Sequence, residues 1–181
     1  MGSLEIIMGP MFSGKTELLI KKYNLIALEN KEKVIAFNYF KDTRYGENKI
    51  VSHNQKFIQS INIEKLSEIF LNEKISTCKY IFINEAQFFI DLKETIIKLV
   101  EVYKKNVIIC GLDSDYKREK FGDIWDLIPF ADNIYKLNGK CNDCMNKSLF
   151  THRVTNEKNQ EVIGTDNYIP LCRKCYISKF E

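Results

Sequence analysis

The segment GPMFSGKT, Gly9 to Thr16, constrains the fold of this chain more than any other, because it fits the pattern G-x-x-x-x-G-K-[ST]. A short apolar run, Leu4–Met8, leads into it, and apolar residues at helical spacing follow it as far as Glu29. In this pattern backbone N–H groups and the helix N-terminus face a phosphate, Lys15 adds a positive charge, and Thr16 offers its hydroxyl to Mg²⁺. The sequence therefore predicts a strand, a phosphate-binding loop and a helix.

Strand-like and helix-like patterns alternate after this loop. Strands are predicted at Val34–Phe37, Tyr80–Ile83, Val107–Leu112 and Ile134–Leu137, and helices at Ile63–Phe70 and Leu92–Tyr103. The segment Lys41–Lys49 has turn chemistry and is expected to be a surface loop. Because alternating strands and helices form parallel sheets covered on both faces, we predict an α/β fold, a P-loop NTPase-like parallel sheet flanked by helices. This domain is expected to cover residues 1–138.

The stretch YIFINEAQFF, Tyr80 to Phe89, carries a carboxylate at the end of a predicted buried strand. Ligands of α/β folds bind at the carboxyl ends of the strands, so Glu85 is expected at the site edge of the sheet. A carboxylate there is a candidate general base for an attacking hydroxyl group. The alternative is a strand-end residue that is turned toward solvent.

Four of the six cysteines form two C-x-x-C pairs, which 27 residues separate. The pairs are Cys141 with Cys144 and Cys172 with Cys175. Two such pairs surround one tetrahedral Zn²⁺ in structural Cys₄ sites, which have no open coordination position. We therefore predict a small zinc-ribbon-like domain over residues 139–181; the alternative is a set of redox pairs. The remaining cysteines, Cys78 and Cys110, are expected in the core.

Net charge and hydropathy give no support to several classes of protein. The net charge of +3 is too small to indicate nucleic-acid or anionic-membrane binding. No run approaches the roughly 18 consecutive apolar residues of a membrane span, and the N-terminus has no secretory leader pattern. We expect a cytoplasmic protein that binds neither nucleic acid nor membrane. The two histidines, His53 and His152, lie in polar sequence and are expected to have no catalytic or metal-binding role.

Six segments occur in the order that is typical of one enzyme family. They are GPMFSGKT from Gly9, KDTRYG from Lys41, NEAQFF from Asn84, GLDSDYKREKFGDI from Gly111, LIPFAD from Leu127 and CRKCY from Cys172. Through them the chain resembles, over essentially its whole length, the type II (cytosolic, zinc-containing) thymidine kinases. The resemblance implies transfer of the γ-phosphoryl group of ATP to the 5′-hydroxyl group of thymidine or deoxyuridine.

The resemblance also implies roles for individual residues. Glu85 would be the base that takes the hydroxyl proton. Lys15 and Thr16 would hold the triphosphate together with Mg²⁺, and Arg44, with Asp42 nearby, would reach the site from the loop after the second strand. The residues implied in binding ATP and Mg²⁺ are Gly9, Pro10, Met11, Phe12, Ser13, Gly14, Lys15, Thr16, Asp42, Asn84 and Gln87.

The segment between the two cysteine pairs, about Phe150 to Tyr168, resembles the family's lasso loop. In the family this loop closes over the nucleoside and contacts the base largely through main-chain hydrogen bonds. The zinc site would then anchor both ends of the loop. The residues implied in nucleoside binding are Met11, Phe88, Leu112, Tyr116, Thr151, Val162, Ile163, Gly164 and Tyr168.

The chain departs from the family pattern at three places. Asn84 stands where the family usually has Asp, so we expect weaker Mg²⁺ binding while Glu85 keeps the base chemistry. Tyr116 stands where Phe is common, and its hydroxyl needs a hydrogen-bond partner or water. The segment IGTDNY, Ile163 to Tyr168, is one residue shorter than the usual form and lacks its second glycine, so the turn there is expected to differ.

Three alternatives to an active thymidine kinase remain open on sequence grounds. One is a catalytically impaired relative that has lost its metal through Asn84. Another is an ATPase or GTPase switch, although no convincing N-K-x-D motif is present. The third is a nucleic-acid-binding zinc ribbon, whose basic residues would include Lys147, Arg153 and Arg173. The resemblance further implies a homotetramer, and thymidine triphosphate as a feedback inhibitor at the nucleoside site.

Overall fold

A computed structural model describes residues 1–30, 33–42, 46, 48–162, 164 and 166–179 of the chain, without the side chain of residue 30. The strands are β1 Ser3–Gly9, β2 Val34–Tyr39, β3 Lys49–Val51, β4 Phe57–Gln59, β5 Ile61–Ile63, β6 Tyr80–Ile83, β7 Asn106–Leu112, β8 Asn133–Lys136, β9 Gly139–Lys140, β10 Lys147–Ser148, β11 Phe150–Arg153 and β12 Tyr168–Leu171. The α-helices are α1 Lys15–Asn30, α2 Leu92–Ile97 and α3 Arg173–Ile177.

A parallel sheet of six strands forms the centre of the molecule, in the order β5-β2-β6-β7-β1-β8. The predicted α/β architecture with a parallel sheet flanked by helices is therefore confirmed. All five predicted strands belong to this sheet. The sixth strand, β5, was not predicted, because it has only three residues and follows directly on a hairpin, β3–β4.

Both faces of the sheet are covered, as the apolar character of its strands requires. Side chains along β1 alternate between the faces with period two: Leu4 and Ile6 join one buried cluster and Ile7 joins the other. Helix α1 and the β3–β4 hairpin cover the second face. Helix α2 and two 3₁₀ segments, Leu66–Leu71 and Ile124–Phe130, cover the first.

The helix predicted at Ile63–Phe70 is wrong in type. Ile63 ends strand β5, and a 3₁₀ segment begins at Leu66. The Asp91 carboxylate accepts hydrogen bonds from the backbone N–H groups of Leu66 and Ser67, at 2.9 and 2.8 Å, and so satisfies the first turn from outside the segment. The helix predicted at Leu92–Tyr103 is present, as α2 followed by a π-helical turn, Lys98–Val102.

The C-terminal part consists of short strand pairs and helix α3 around a small core of its own. Strand β11 pairs antiparallel with β12, and β9 pairs with β10. The buried residues of this core are Cys141, Leu171, Cys172 and Tyr176. The division of the chain at residue 138 stays a prediction. Among the described residues, no helix combines the length and the apolar character that a membrane span needs.

Candidate functional site

Four strands of the parallel sheet end side by side at its carboxyl edge, next to one cleft. β1 runs into the Gly9–Thr16 loop, β2 leads to Asp42, β6 leads to Glu85, and β7 ends at Leu112. The turn of the β3–β4 hairpin and the segments that follow β7 and β11 complete the walls of the cleft. This is the edge at which α/β folds bind their ligands.

The Gly9–Thr16 loop connects β1 to α1, as predicted, and its backbone uses both glycines. Gly9 has a φ of +153°, and a Cβ atom there would lie 2.4 Å from the carbonyl oxygen of Leu137. Gly14 has a φ of +81°. The Nζ atom of Lys15 donates a hydrogen bond of 2.8 Å to the carbonyl oxygen of Pro10, so the ammonium group is folded over the loop. The phosphate-binding role of the loop stays a prediction.

Glu85 follows β6 in the left-handed region, with φ 53° and ψ 41°. A residue other than glycine is rarely found there, and such backbone strain is concentrated at functional sites. The side-chain amide of Gln87 donates a 2.7 Å hydrogen bond to Oε2 of Glu85, and its oxygen accepts one of 3.0 Å from the backbone N–H of Leu112. Gln87 therefore ties the carboxylate to the end of the neighbouring strand, and all three residues line the cleft.

Asn84 points away from the cleft into a buried polar cluster. Its side-chain amide donates to Oδ1 of Asn38 at 2.9 Å, and its oxygen accepts from the thiol of Cys110 at 2.9 Å. Burial, with a smaller contribution from the negative charge of Glu85, raises the pKa of this thiol to about 12, so Cys110 acts as a donor. Asn38 in turn donates a 3.2 Å hydrogen bond to the carboxylate of Asp42, which lines the cleft.

The described residues that were implied in nucleoside binding come together in the same cleft. They are Met11, Phe88, Leu112, Tyr116, Thr151, Val162, Gly164 and Tyr168. Ile163 and Arg44 lie outside the described residues. The backbone N–H of Met11 donates a 2.9 Å hydrogen bond to the hydroxyl of Thr151, which joins the Gly9–Thr16 loop to strand β11. The binding roles of these residues stay predictions.

The two remaining departures from the family pattern have definite local consequences. The hydroxyl of Tyr116 donates a 3.2 Å hydrogen bond to the carbonyl oxygen of Lys158, in the segment after β11. Tyr168 begins β12 opposite Arg153, and its hydroxyl donates a 3.0 Å bond to the carbonyl oxygen of Val162. The pairing of β11 with β12 therefore brings Tyr168 to the cleft although the preceding segment is short.

The four paired cysteines form one cluster, in which the Sγ atoms all lie within 4.8 Å of one another. Burial raises the pKa of the Cys141 thiol, but hydrogen bonds from backbone N–H groups, those of Cys172 and Cys144 foremost, outweigh it and lower the pKa to about 6. Helix α3 begins within the second pair, directly after Cys172, and the four sulfur atoms still form a single cluster. Four thiolates at this spacing fit one structural Zn²⁺.

Sequence reasoning missed several residues that line the cleft. The ring of Tyr39 stacks on that of Phe88, with centroids 5.0 Å apart, and Phe121 meets the same ring edge-on at 5.3 Å. His53 was assigned no role, but it lies in the turn of the β3–β4 hairpin, 6.4 Å from the ring of Phe12. The position of Tyr39 at the end of β2 was a usable signal. No sequence signal connected His53 with the loop it faces.

A family model described as thymidine kinase matches residues 2–176 of this chain. The thymidine kinase of rice is 38% identical over 182 residues, which cover 97% of this chain and 66% of the rice protein. The thymidine kinase of Mycoplasma mobile is also 38% identical over 182 residues, which cover 97% of this chain and 88% of that protein. A chicken protein named thymidine kinase, cytosolic, is 34% identical over 179 residues, which cover 98% of this chain and 78% of the chicken protein.

Proposed function

This chain belongs to the thymidine kinase family, and from that premise we propose that it transfers the γ-phosphoryl group of ATP to the 5′-hydroxyl group of thymidine or deoxyuridine. One observation carries the proposal for this chain itself. Lys15 and Thr16 of the Gly9–Thr16 loop, the carboxylate of Glu85 and an apolar pocket beside Met11 and Phe88 share one cleft. Phosphoryl transfer requires a site for the phosphate donor, a base and a site for the acceptor, and the residues proposed for all three lie at one edge of the sheet.

In the proposed reaction the 5′-hydroxyl group lies between Glu85 and the γ-phosphate. Glu85 takes the hydroxyl proton, and a bond forms between the 5′ oxygen and the γ-phosphorus. The bond from that phosphorus to the oxygen that bridges it to the β-phosphate breaks, and ADP leaves. The hydrogen bond from Gln87 supports this role, because it holds the carboxylate of Glu85 in a fixed orientation at the cleft.

Lys15 would turn from the carbonyl oxygen of Pro10 to the β- and γ-phosphate oxygens when ATP binds. The hydroxyl of Thr16 and the carboxylate of Asp42 line the same cleft, and oxygen donors of this kind fit Mg²⁺. When bound, Mg²⁺ supplies positive charge that offsets the charge of the transferring phosphoryl group. Arg44, which lies outside the described residues, is proposed to supply further positive charge.

A panel of nucleosides offered with ATP and Mg²⁺ tests the proposal. We expect thymidine and deoxyuridine to become monophosphates, and we expect ATP to be stable when no nucleoside is present. Chromatography of the products measures both. Hydrolysis of ATP without any nucleoside would indicate an ATPase instead, and a panel without any monophosphate would contradict the proposal.

Nothing in the comparisons or in the cleft supports a catalytically impaired protein, and Asn84 permits a direct test. We expect Asn84→Asp to lower the Mg²⁺ concentration needed for half-maximal rate about threefold to tenfold, because it adds a negative charge to the polar cluster in which Asn38 links residue 84 to Asp42. We also expect the free energy of unfolding to fall by about 1–3 kcal/mol, since an aspartate cannot make the hydrogen bond that the Asn84 amide donates to Oδ1 of buried Asn38. A Mg²⁺ titration and a denaturant titration measure the two effects.

Asn133→Asp is the control for this substitution, because it adds the same charge at an exposed position at the start of strand β8. That start lies at the opposite edge of the sheet from the cleft. We expect no change in its Mg²⁺ requirement. If Asn84→Asp behaved like Asn133→Asp, position 84 would have no influence on the metal.

Three further properties are proposed on the family resemblance. The protein is a homotetramer, and the exposed apolar side chains of Leu25 and Leu28 on helix α1 support an interface there. Thymidine triphosphate acts as a feedback inhibitor, since its nucleoside portion would fit the same pocket. The protein acts in the cytoplasm, as the name of the chicken relative indicates for that protein.

A further inference from the structure

We infer that Arg153 is a positioning residue that sets the affinity for the nucleoside by holding residues 154–162, here called the covering segment, against the cleft. The inference rests on the proposed function and extends it to a residue that does not itself line the cleft. A nucleic-acid-binding zinc ribbon would need Arg153 as one of its surface cations. The exposed fraction of Arg153 is only 5%, so that interpretation is wrong.

The guanidinium group of Arg153 donates hydrogen bonds to three backbone carbonyl oxygens of the covering segment. Nη1 donates to the carbonyl oxygens of Glu157, at 2.9 Å, and Asn159, and Nη2 donates to that of Gln160 at 2.9 Å. Among the described residues no carboxylate pairs with this cation. A buried charge must be hydrogen-bonded, so the covering segment cannot leave the cleft without depriving the cation of three partners.

The same guanidinium group reaches the cleft wall through two aromatic residues. Its Cζ lies 3.7 Å from the ring centroid of Tyr116, and Nη2 donates a 2.7 Å hydrogen bond to the hydroxyl of Tyr168. That hydroxyl donates in turn to the carbonyl oxygen of Val162. Tyr116, Tyr168 and Val162 all line the cleft. The position of Arg153 is therefore coupled to three contacts available to a nucleoside.

The covering segment is also pinned from its other side, to the segment that follows β7. The side-chain amide of Gln160 donates to the carboxylate of Asp115 at 2.9 Å and to the carbonyl oxygen of Lys120 at 3.1 Å. Asp115 is buried, and its second oxygen accepts from the backbone N–H groups of Lys117 and Glu119. Together with the bond from Tyr116 to Lys158, these contacts hold the covering segment around the guanidinium group of Arg153.

Arginine is required at this position because of its geometry. A planar fork with several fixed donors meets four acceptors and stacks on a ring at the same time, whereas a lysine ammonium group is a point charge with three donors. Arg153→Lys should therefore keep the charge and lose most of the function. This separates positioning from simple charge balance.

The test compares Arg153→Lys and Arg153→Met with the wild-type full-length, zinc-loaded protein. For Arg153→Met we expect the KM for thymidine to rise by about 10- to 100-fold, and the KM for ATP to stay within about threefold of the wild-type value. For Arg153→Lys we expect most of the same rise in the KM for thymidine. Trypsin should cleave after Lys158 at least tenfold faster in both variants, because the covering segment opens more often. Saturating thymidine should slow that cleavage in the wild type.

Arg173→Met is the matched control, because Arg173 is exposed and its guanidinium group lies over the ring of Phe150, which is outside the covering segment. Its KM values and cleavage rate should stay within twofold of wild type. An unchanged thymidine KM in Arg153→Met, with or without a lower melting temperature or faster cleavage, would overturn the inference. A wild-type protein that makes no thymidine monophosphate would instead refute the proposed function. In that case the trypsin experiment still tests the role of Arg153. Equal cleavage rates of the wild type and Arg153→Met would overturn the inference, and faster cleavage of Arg153→Met would support the part of it that concerns the covering segment.

Discussion

Replacing Glu85 by glutamine is expected to lower kcat for thymidine about 10²- to 10⁴-fold, the range found for loss of a general base. Glutamine has nearly the same shape, and its oxygen still accepts the hydrogen bond from Gln87, so the turn after β6 should be kept. The amide cannot take the proton of the 5′-hydroxyl group. Steady-state kinetics with thymidine and ATP measure the loss, and binding assays should give affinities for both substrates within about threefold of wild type.

Two companion variants sharpen this experiment. Glu85→Asp keeps a carboxylate but withdraws it by one methylene group, so we expect a loss between those of the wild type and Glu85→Gln. Glu94→Gln makes the same amide change at an exposed position on helix α2 and should leave kcat unchanged. Full activity in Glu85→Gln would mean that another group accepts the proton, and the proposed mechanism would have to be abandoned.

Loss of the zinc site is expected to have the second large effect. We expect Cys172→Ser to lower bound zinc from about one atom per chain to nearly none, and kcat/KM for thymidine to fall at least about 100-fold. The physical reason is that the cysteines flank both ends of residues 150–168: Cys144 precedes β10 and β11, and Cys172 follows β12. Binding of structural Zn²⁺ contributes about 10–16 kcal/mol to the folding free energy of small domains. This contribution is larger than the small core of the C-terminal part can supply.

Elemental analysis and thymidine kinetics measure the two effects of Cys172→Ser. Cys78→Ser is the control, because Cys78 is buried beside the main sheet, in a different core from the cysteine cluster. It should keep its zinc and its KM for thymidine. Binding of ATP should change much less than binding of thymidine in Cys172→Ser, since the Gly9–Thr16 loop belongs to the main sheet and contacts residues 150–168 through the hydrogen bond from Met11 to Thr151. A zinc-free protein with normal thymidine kinetics would show that the metal does not anchor the loop.

Much of the fold could be predicted because its signals are local. The spacing of glycines and Lys15 in the first loop, the apolar runs of the sheet strands and the two C-x-x-C pairs each describe a few neighbouring residues. The errors arose where local patterns are short. Strand β5 has three residues, and the segment after it became a 3₁₀ turn because a distant carboxylate, Asp91, satisfies its first N–H groups.

By itself the sequence determined the α/β architecture, the carboxylate at the end of β6 and the four candidate zinc ligands, because each follows from residue type and spacing along the chain. Only the tertiary structure decided how distant side chains meet. It turned Asn84 toward Asn38 and Cys110, joined Met11 to Thr151, and buried Arg153 among the carbonyl groups of the covering segment. These contacts depend on strand order and loop closure, which bring residues up to 140 positions apart within hydrogen-bond distance. Patterns of neighbouring residues therefore do not predict these long-range contacts.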